Sequence, residues 1–221
     1  MTTASSEQTA SLLFQYCNAI ELAHATTGGL CSYVRLPLNA FMRLASHPLI
    51  FDSICQLMDH ALFSKAMEGE VVIASSLEEF VLANKLAHRL SALISQKRKE
   101  SQRLAVVRLD LSSAGLGQVA KDVSVRAVEI PAAYLAQGAI SPEINISGKK
   151  IVLVRGFVTR QKKGQIESAR ELIIKQGGQL AVELALCVYD FPKSGIQCLL
   201  EAEVERTPQE LCVLCNPKNI A

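Results

Sequence analysis

Residues 151–175 constrain this chain more than any other stretch. Four consecutive apolar residues, Ile151, Val152, Leu153 and Val154, predict a strand buried on both faces, as parallel strands are. A helical pattern from Gly164 to Lys175 follows, stopped by Gly177-Gly178. Strand, turn and helix in this order are the working part of a βαβ unit, and open α/β sheets bind ligands where such strands end. The residues at that corner are Arg155 and Gly156, followed by Thr159-Arg160-Gln161-Lys162-Lys163-Gly164-Gln165. They make a basic turn at the N-terminus of a helix.

The flanking sequence supports an α/β fold with a central, mainly parallel sheet flanked by helices. Val71 to Ala74 predicts a strand, and Ser75-Ser76 can cap a helix running through Leu77, Phe80, Val81, Leu86 and Leu90 to about Lys99. Further strands are expected at Leu104 to Leu109, around Val123 to Ile130 and at Leu180 to Tyr189, with weaker ones at Gln197 to Ala202 and Glu210 to Leu214. Leu111 to Gln118 reads as a loop, and Ala136 to Lys150 as a connection broken by Gly138, Pro142 and Gly148. Nearer the N-terminus, apolar spacing predicts one helix over Thr9 to Ala25, closed by Thr26-Thr27-Gly28-Gly29. A short strand at Leu30 to Leu36 and a second helix over Leu49 to Met67 follow.

Composition narrows the function classes. At 221 residues and 49% hydrophobic, the chain is long enough to bury a full core as one domain. A net charge of +2 gives no electrostatic reason to expect nucleic acid. Of the two small basic clusters, Lys97-Arg98-Lys99 suits a helix C-terminus, which leaves Arg160 to Lys163 as the one at a ligand-binding corner. No apolar run is long enough to cross a bilayer, and MTTASSEQTA lacks a secretory pattern, so a cytoplasmic protein is expected.

Seven cysteines lie scattered in apolar segments, which fits reduced core thiols better than a disulfide framework. Cys212 and Cys215 form a C-x-x-C with no second such pair and no Cys/His pair beside it, so no metal site is expected. The four histidines, His24, His47, His60 and His88, are isolated along the sequence and read as structural. No serine sits in a nucleophile elbow.

From about Thr26 to Cys212 the order of elements resembles the type I phosphoribosyltransferases, and within them the orotate phosphoribosyltransferase branch. Thr27-Gly28 through Tyr33, with Ser46-His47-Pro48, is similar to the segment preceding the family's second helix. The turn Ala74-Ser75-Ser76 resembles its pyrophosphate-side turn, although Glu78 and Glu79 at the helix start would repel a pyrophosphate. Arg108 to Gly115 fits the frame of the mobile catalytic loop, keeping Arg108, Asp110 and Gly115 but placing Leu109 and Ser112 where the family has lysines. Gln137 to Pro142 and Tyr189-Asp190 with Gly195 resemble two further turns. The resemblance implies a single domain over 1–221. Its core spans about 50–190, a small hood comes from about 11–45 and 195–221, and a flexible segment occupies 1–10.

The departure falls on the motif itself. The family pattern is an apolar strand, two acids that hold the ribose hydroxyls, two variable residues and a T-T-G-G-S/T phosphate loop. Here Arg155-Gly156 stands for both acids, Thr159 survives, and Arg160 to Gln165 replaces the glycine turn. Bulky residues cannot reproduce a glycine cradle, but a basic loop still attracts an anion through its side chains. A buried Arg155 needs a carboxylate partner, with Asp190 or Glu167 as candidates.

Three readings follow. In the first, the fold has lost the transferase reaction and serves as a regulatory or structural partner, as a homodimer or with another protein. It needs no cofactor and binds a phosphate-type anion at Thr159 to Gln165. The second is a divergent active enzyme that transfers ribose 5-phosphate to orotate in pyrimidine nucleotide synthesis, with magnesium held by an acid elsewhere. The third, a nucleic-acid-binding regulator on the same fold, conflicts with the near-neutral charge.

Overall fold

The computed structural model describes residues 6–66, 68–74, 77–98, 105–108, 145–191, 195–202 and 204–216. In chain order these form α1 (Ser6–Tyr16), β1 (Glu21–Thr27), β2 (Leu30–Arg35), α2 (Ala40–Ala45), α3 (Pro48–Ala66), β3 (Val71–Ala74), α4 (Leu77–Arg98), β4 (Ala105–Arg108), β5 (Lys150–Thr159), a 3-10 turn (Arg160–Lys162), α5 (Lys163–Lys175), β6 (Gln179–Tyr189), β7 (Gln197–Ala202) and β8 (Thr207–Pro208). Among them, β4-β3-β5-β6-β7 make one sheet whose neighbouring strands are all parallel. A separate antiparallel sheet, β1-β2-β8, joins the two ends of the chain.

Strand alternation sorts the core into two layers. Val72, Ala74, Val152, Val154, Val182 and Leu184 face one way and pack against buried residues of α1, α3 and α4, including Phe14, Ile54, Met58 and Leu86. Val71, Ile73, Ile151 and Leu153 face the other way, onto Ala169 and Ile173 of α5. With both faces covered, β3 and β5 read as uninterrupted apolar runs, which is why the sequence displays them so plainly. The approach is close enough that a Cβ on Gly69 would lie 2.3 Å from Val152 Cγ2. No helix among the described residues is long and apolar enough to cross a membrane.

Three expectations are corrected. The helix predicted to reach Ala25 stops at Tyr16, Asn18 takes a left-handed φ of 52°, and Glu21–Thr27 is a strand. Gly28 and Gly29, with φ of 59° and 75°, form the two-residue turn of the β1–β2 hairpin, pairing Thr27 with Leu30, where the sequence suggested a helix stop. Glu210 to Leu214 is a run of turns, and the strand in that region is the short β8. The strand expected at Val123 to Ile130 and the loop at Leu111 to Gln118 lie outside the described residues.

Candidate functional site

The site is set by a difference in strand length. β3 ends at Ala74, level with Val154, whereas β5 continues through Arg155 to Thr159, paired to β6 alone as far as Thr159–Tyr189. The residues that sequence places in a turn after the strand are therefore still strand. They project past the sheet's centre toward the hood.

Arg155 is the first residue beyond β3 and is only 2% exposed. Its Nε donates to Glu183 Oε1 at 2.9 Å, its Nη1 lies 3.9 Å from Glu79 Oε2, and its Nη2 donates to the Ile166 carbonyl at 3.3 Å. The other oxygen of Glu183 accepts from Arg170 Nε at 2.6 Å. A guanidinium withdrawn from water needs this full set of acceptors. The partners expected from sequence, Asp190 and Glu167, are not the ones used. Asp190 is paired with Arg206 and lies 3.9 Å from Arg160 Nε, while Glu167 faces Lys163 one helical turn away at 3.7 Å.

Gly156 donates its N–H to Glu79 Oε1 at 3.4 Å. A Cβ there would make ordinary contacts, 3.5 Å from Phe41 and 3.9 Å from the Glu79 side chain, so space does not demand the glycine. Charge is what an acid would meet, because Glu79 already occupies the place beside it. Glu79 was expected to face an incoming pyrophosphate at the start of α4. It is instead turned inward and 6% exposed, held by the amide of Gly156 and the charge of Arg155.

Above this corner lies a cavity of about 510 Å³. Phe157, Thr159 and Tyr189 come from the ends of β5 and β6, Arg160, Gln161 and Lys162 from the 3-10 turn, and Leu30, Ser32 and Val34 from one side of β2. Tyr189 closes the join between the two layers by donating its hydroxyl to the Val34 carbonyl at 2.7 Å. Among the described residues, the charged lining is Arg35, Arg160, Lys162 and Arg206 against Asp190. Such an excess of cations around a partly apolar hollow favours an anion with an uncharged portion.

The same corner does not fit a magnesium-bound diphosphate. That chemistry asks for free carboxylate oxygens. Glu79 and Glu183 are spent on Arg155, and Asp190 carries arginine partners.

Of the residues the sequence offers as an anion site, Thr159, Arg160, Gln161 and Lys162 line the cavity, whereas Lys163, Gly164 and Gln165 form the first turn of α5 and do not line it. Ala74 ends β3 and is buried. Arg108 ends β4, while Ser75, Ser76 and Asp110 lie outside the described residues, and with them the frame of the mobile loop. Sequence reasoning missed Arg35 and Arg206, which enter from the hood and from the chain's last third. It also missed Glu183, which did leave a signal. One acid inside the apolar run Leu180 to Tyr189, on the strand beside Arg155, is the arrangement a buried ion pair requires.

No protein-family model matches the chain, and no curated protein sequence does. Solved structures do match. Orotate phosphoribosyltransferase from Mycobacterium tuberculosis H37Rv, in complex with inorganic phosphate, superposes with a TM-score of 0.52 at 11% identity, covering 89% of this chain and 95% of that one. The orotate phosphoribosyltransferase of Francisella tularensis gives 0.50 at 11% identity, over 91% and 86%. The chain has the type I phosphoribosyltransferase fold.

Proposed function

We propose that this protein keeps the frame of an orotate phosphoribosyltransferase without its reaction. It acts in the cytoplasm as a regulatory or structural partner, as a homodimer or with another protein, and binds a phosphate-bearing anion in the cavity above β5 and β6. The observation that carries the reading is the Arg155–Glu183 ion pair, closed at 2.9 Å between side chains each 2% exposed. By the resemblance, this corner is where ribose hydroxyls would need acceptors, and here Arg155 engages Glu183 and Glu79. Preorganised charge is usually the largest catalytic contribution, and here its sign at the reacting sugar is reversed.

The anion reading rests on Arg35, Arg160, Lys162 and Arg206 around one acid. One structural neighbour is itself a complex with inorganic phosphate. Calorimetric titration is expected to give binding of phosphoribosyl pyrophosphate that does not depend on magnesium, with no nucleotide formed from it and orotate. Turnover by the unmodified protein would replace this reading with that of a divergent active transferase. The variant Arg155→Asp/Gly156→Asp separates the two further. Beside Glu79 and Glu183, added acids are expected to lower the melting temperature and to restore no turnover.

A further inference from the structure

The Cys212-x-x-Cys215 pair lacks a metal-binding partner nearby in sequence, but the fold supplies one from the other end of the chain. Among the described residues, one ligand atom each from His24, Cys31, Cys212 and Cys215 lie within 4.8 Å of one another. His24 Nε2 is 3.3 Å from Cys212 Sγ and 3.6 Å from Cys215 Sγ, and Cys31 Sγ is 3.5 Å from Cys215 Sγ. The edges of a tetrahedron around zinc, with bonds of about 2.0–2.1 Å to nitrogen and 2.3 Å to sulfur, measure about 3.5–3.8 Å. We propose that His24, Cys31, Cys212 and Cys215 form a structural zinc(II) site that fastens the β1–β2 hairpin to the C-terminal turns.

The local backbone is built for it. β1 carries an irregularity between Leu22 and Ala25, where the extra residue re-aims His24 out of the regular alternation. The His24 ring lies 5.6 Å from that of Tyr33, which fixes its tilt. Past β8, the Asn216 amide donates to the Cys212 carbonyl at 2.8 Å, closing a tight turn around the C-x-x-C. The amides of Leu214 and Cys215 point at the Cys212 sulfur, and the Tyr33 hydroxyl lies 3.1 Å from it. Donors directed at one sulfur favour the thiolate that a metal needs.

Zinc fits better than the alternatives. Four soft or borderline donors at tetrahedral spacing select zinc over the hard, oxygen-seeking cations. A disulfide would use two sulfurs and leave the imbalance of an idle histidine and a third thiol gathered at the same point. Cys31 and Cys212 are buried, and His24 and Cys215 are more accessible, so the site is closed on one side and open to loading on the other. Its position has a consequence for the cavity. Leu30, Ser32 and Val34 line the cavity, and Cys31 and Tyr33 alternate to the opposite face of β2. The metal thus grips the back of the strand whose front covers the ligand. The zinc site is independent of which ligand that is.

The test uses the full-length chain purified under reducing conditions. Elemental analysis is expected to find about one zinc per chain, and cobalt(II) added after chelation should give the intense d–d and thiolate charge-transfer bands of a tetrahedral site. Cys215→Ser and His24→Ala should each weaken zinc binding by at least about a hundredfold, the upper end of what losing even an outer contact costs. His24→Cys should retain zinc with a shifted cobalt spectrum, and Cys198→Ala should leave metal content unchanged. Because the unmodified protein alone reports stoichiometry and spectrum, a variant that fails to fold does not remove the test. Three results overturn the site: zinc well below one equivalent with no thiolate band, a Cys31–Cys215 disulfide in mass spectra of the reduced preparation, or metal content that His24→Ala and Cys215→Ser leave intact.

Discussion

The ends of β5 and the hood hairpin both hold polar groups gathered from several elements, by opposite means. At β5 a buried cation is satisfied by acids already fixed on α4 and β6, so the charges are spent on one another. In the hood, a histidine and three cysteines converge across up to 191 residues of sequence and none closes a disulfide. The first arrangement is complete in the protein alone. The second would be completed by the proposed zinc. The two regions differ in completeness although both are assembled from distant segments.

The contrast is sharpened most by attacking the self-sufficient end. Glu183→Ala takes away the nearest carboxylate of Arg155 and an acceptor of Arg170, and it is expected to cost about 3–5 kcal/mol in denaturant unfolding. Replacing the pair together, as Arg155→Met/Glu183→Leu, should recover part of that loss, since of the buried charges Arg155, Glu183 and Glu79 only Glu79 is then left, with the Gly156 amide still donating to it. If the double variant is as unstable as the single one, the corner is held by something other than this ion pair.

A smaller effect is expected at the rim. Arg160→Ala/Lys162→Ala removes cations from exposed or half-buried positions, so stability should stay within about 0.5 kcal/mol while phosphate affinity falls about tenfold. Unchanged affinity by calorimetry would place the anion elsewhere.

The smallest effect links the two regions through Tyr189. Burial, the first cause, holds its phenol above the ordinary range. A group whose folded pKa is raised contributes stability below its unfolded pKa and loses it as pH climbs toward the folded value. The wild-type protein should therefore lose stability from about pH 10 upward through this group, and Tyr189→Phe should flatten that part of the profile in thermal melts. The substitution also removes the hydroxyl donated to Val34, at about 1 kcal/mol near neutral pH.

Much of the parallel sheet was legible because its strands are buried on both faces and helices intervene. Val71 to Ala74, Ile151 to Val154 and the α5 pattern could be assigned without knowing what they touch. The hood was not, because Glu21–Thr27 carries helix-compatible residues whose fate was decided by Gly28-Gly29 and by pairing with β2. The candidate site divides the same way. Arg160 to Lys162 stood out as a basic run at a strand's end, whereas Arg35 and Arg206 face the cavity only because the hood folds over it.

By itself, the sequence determined the buried strands β3 and β5, the Arg155-Gly156 corner and the basic turn beside it, since apolar runs and charges are local and additive. Only the tertiary structure decided which acids answer Arg155 and that His24 and Cys31 meet Cys212 and Cys215. Pairing across the chain depends on strand register and on a β-irregularity, and neither is written in the spacing of the residues that come to touch.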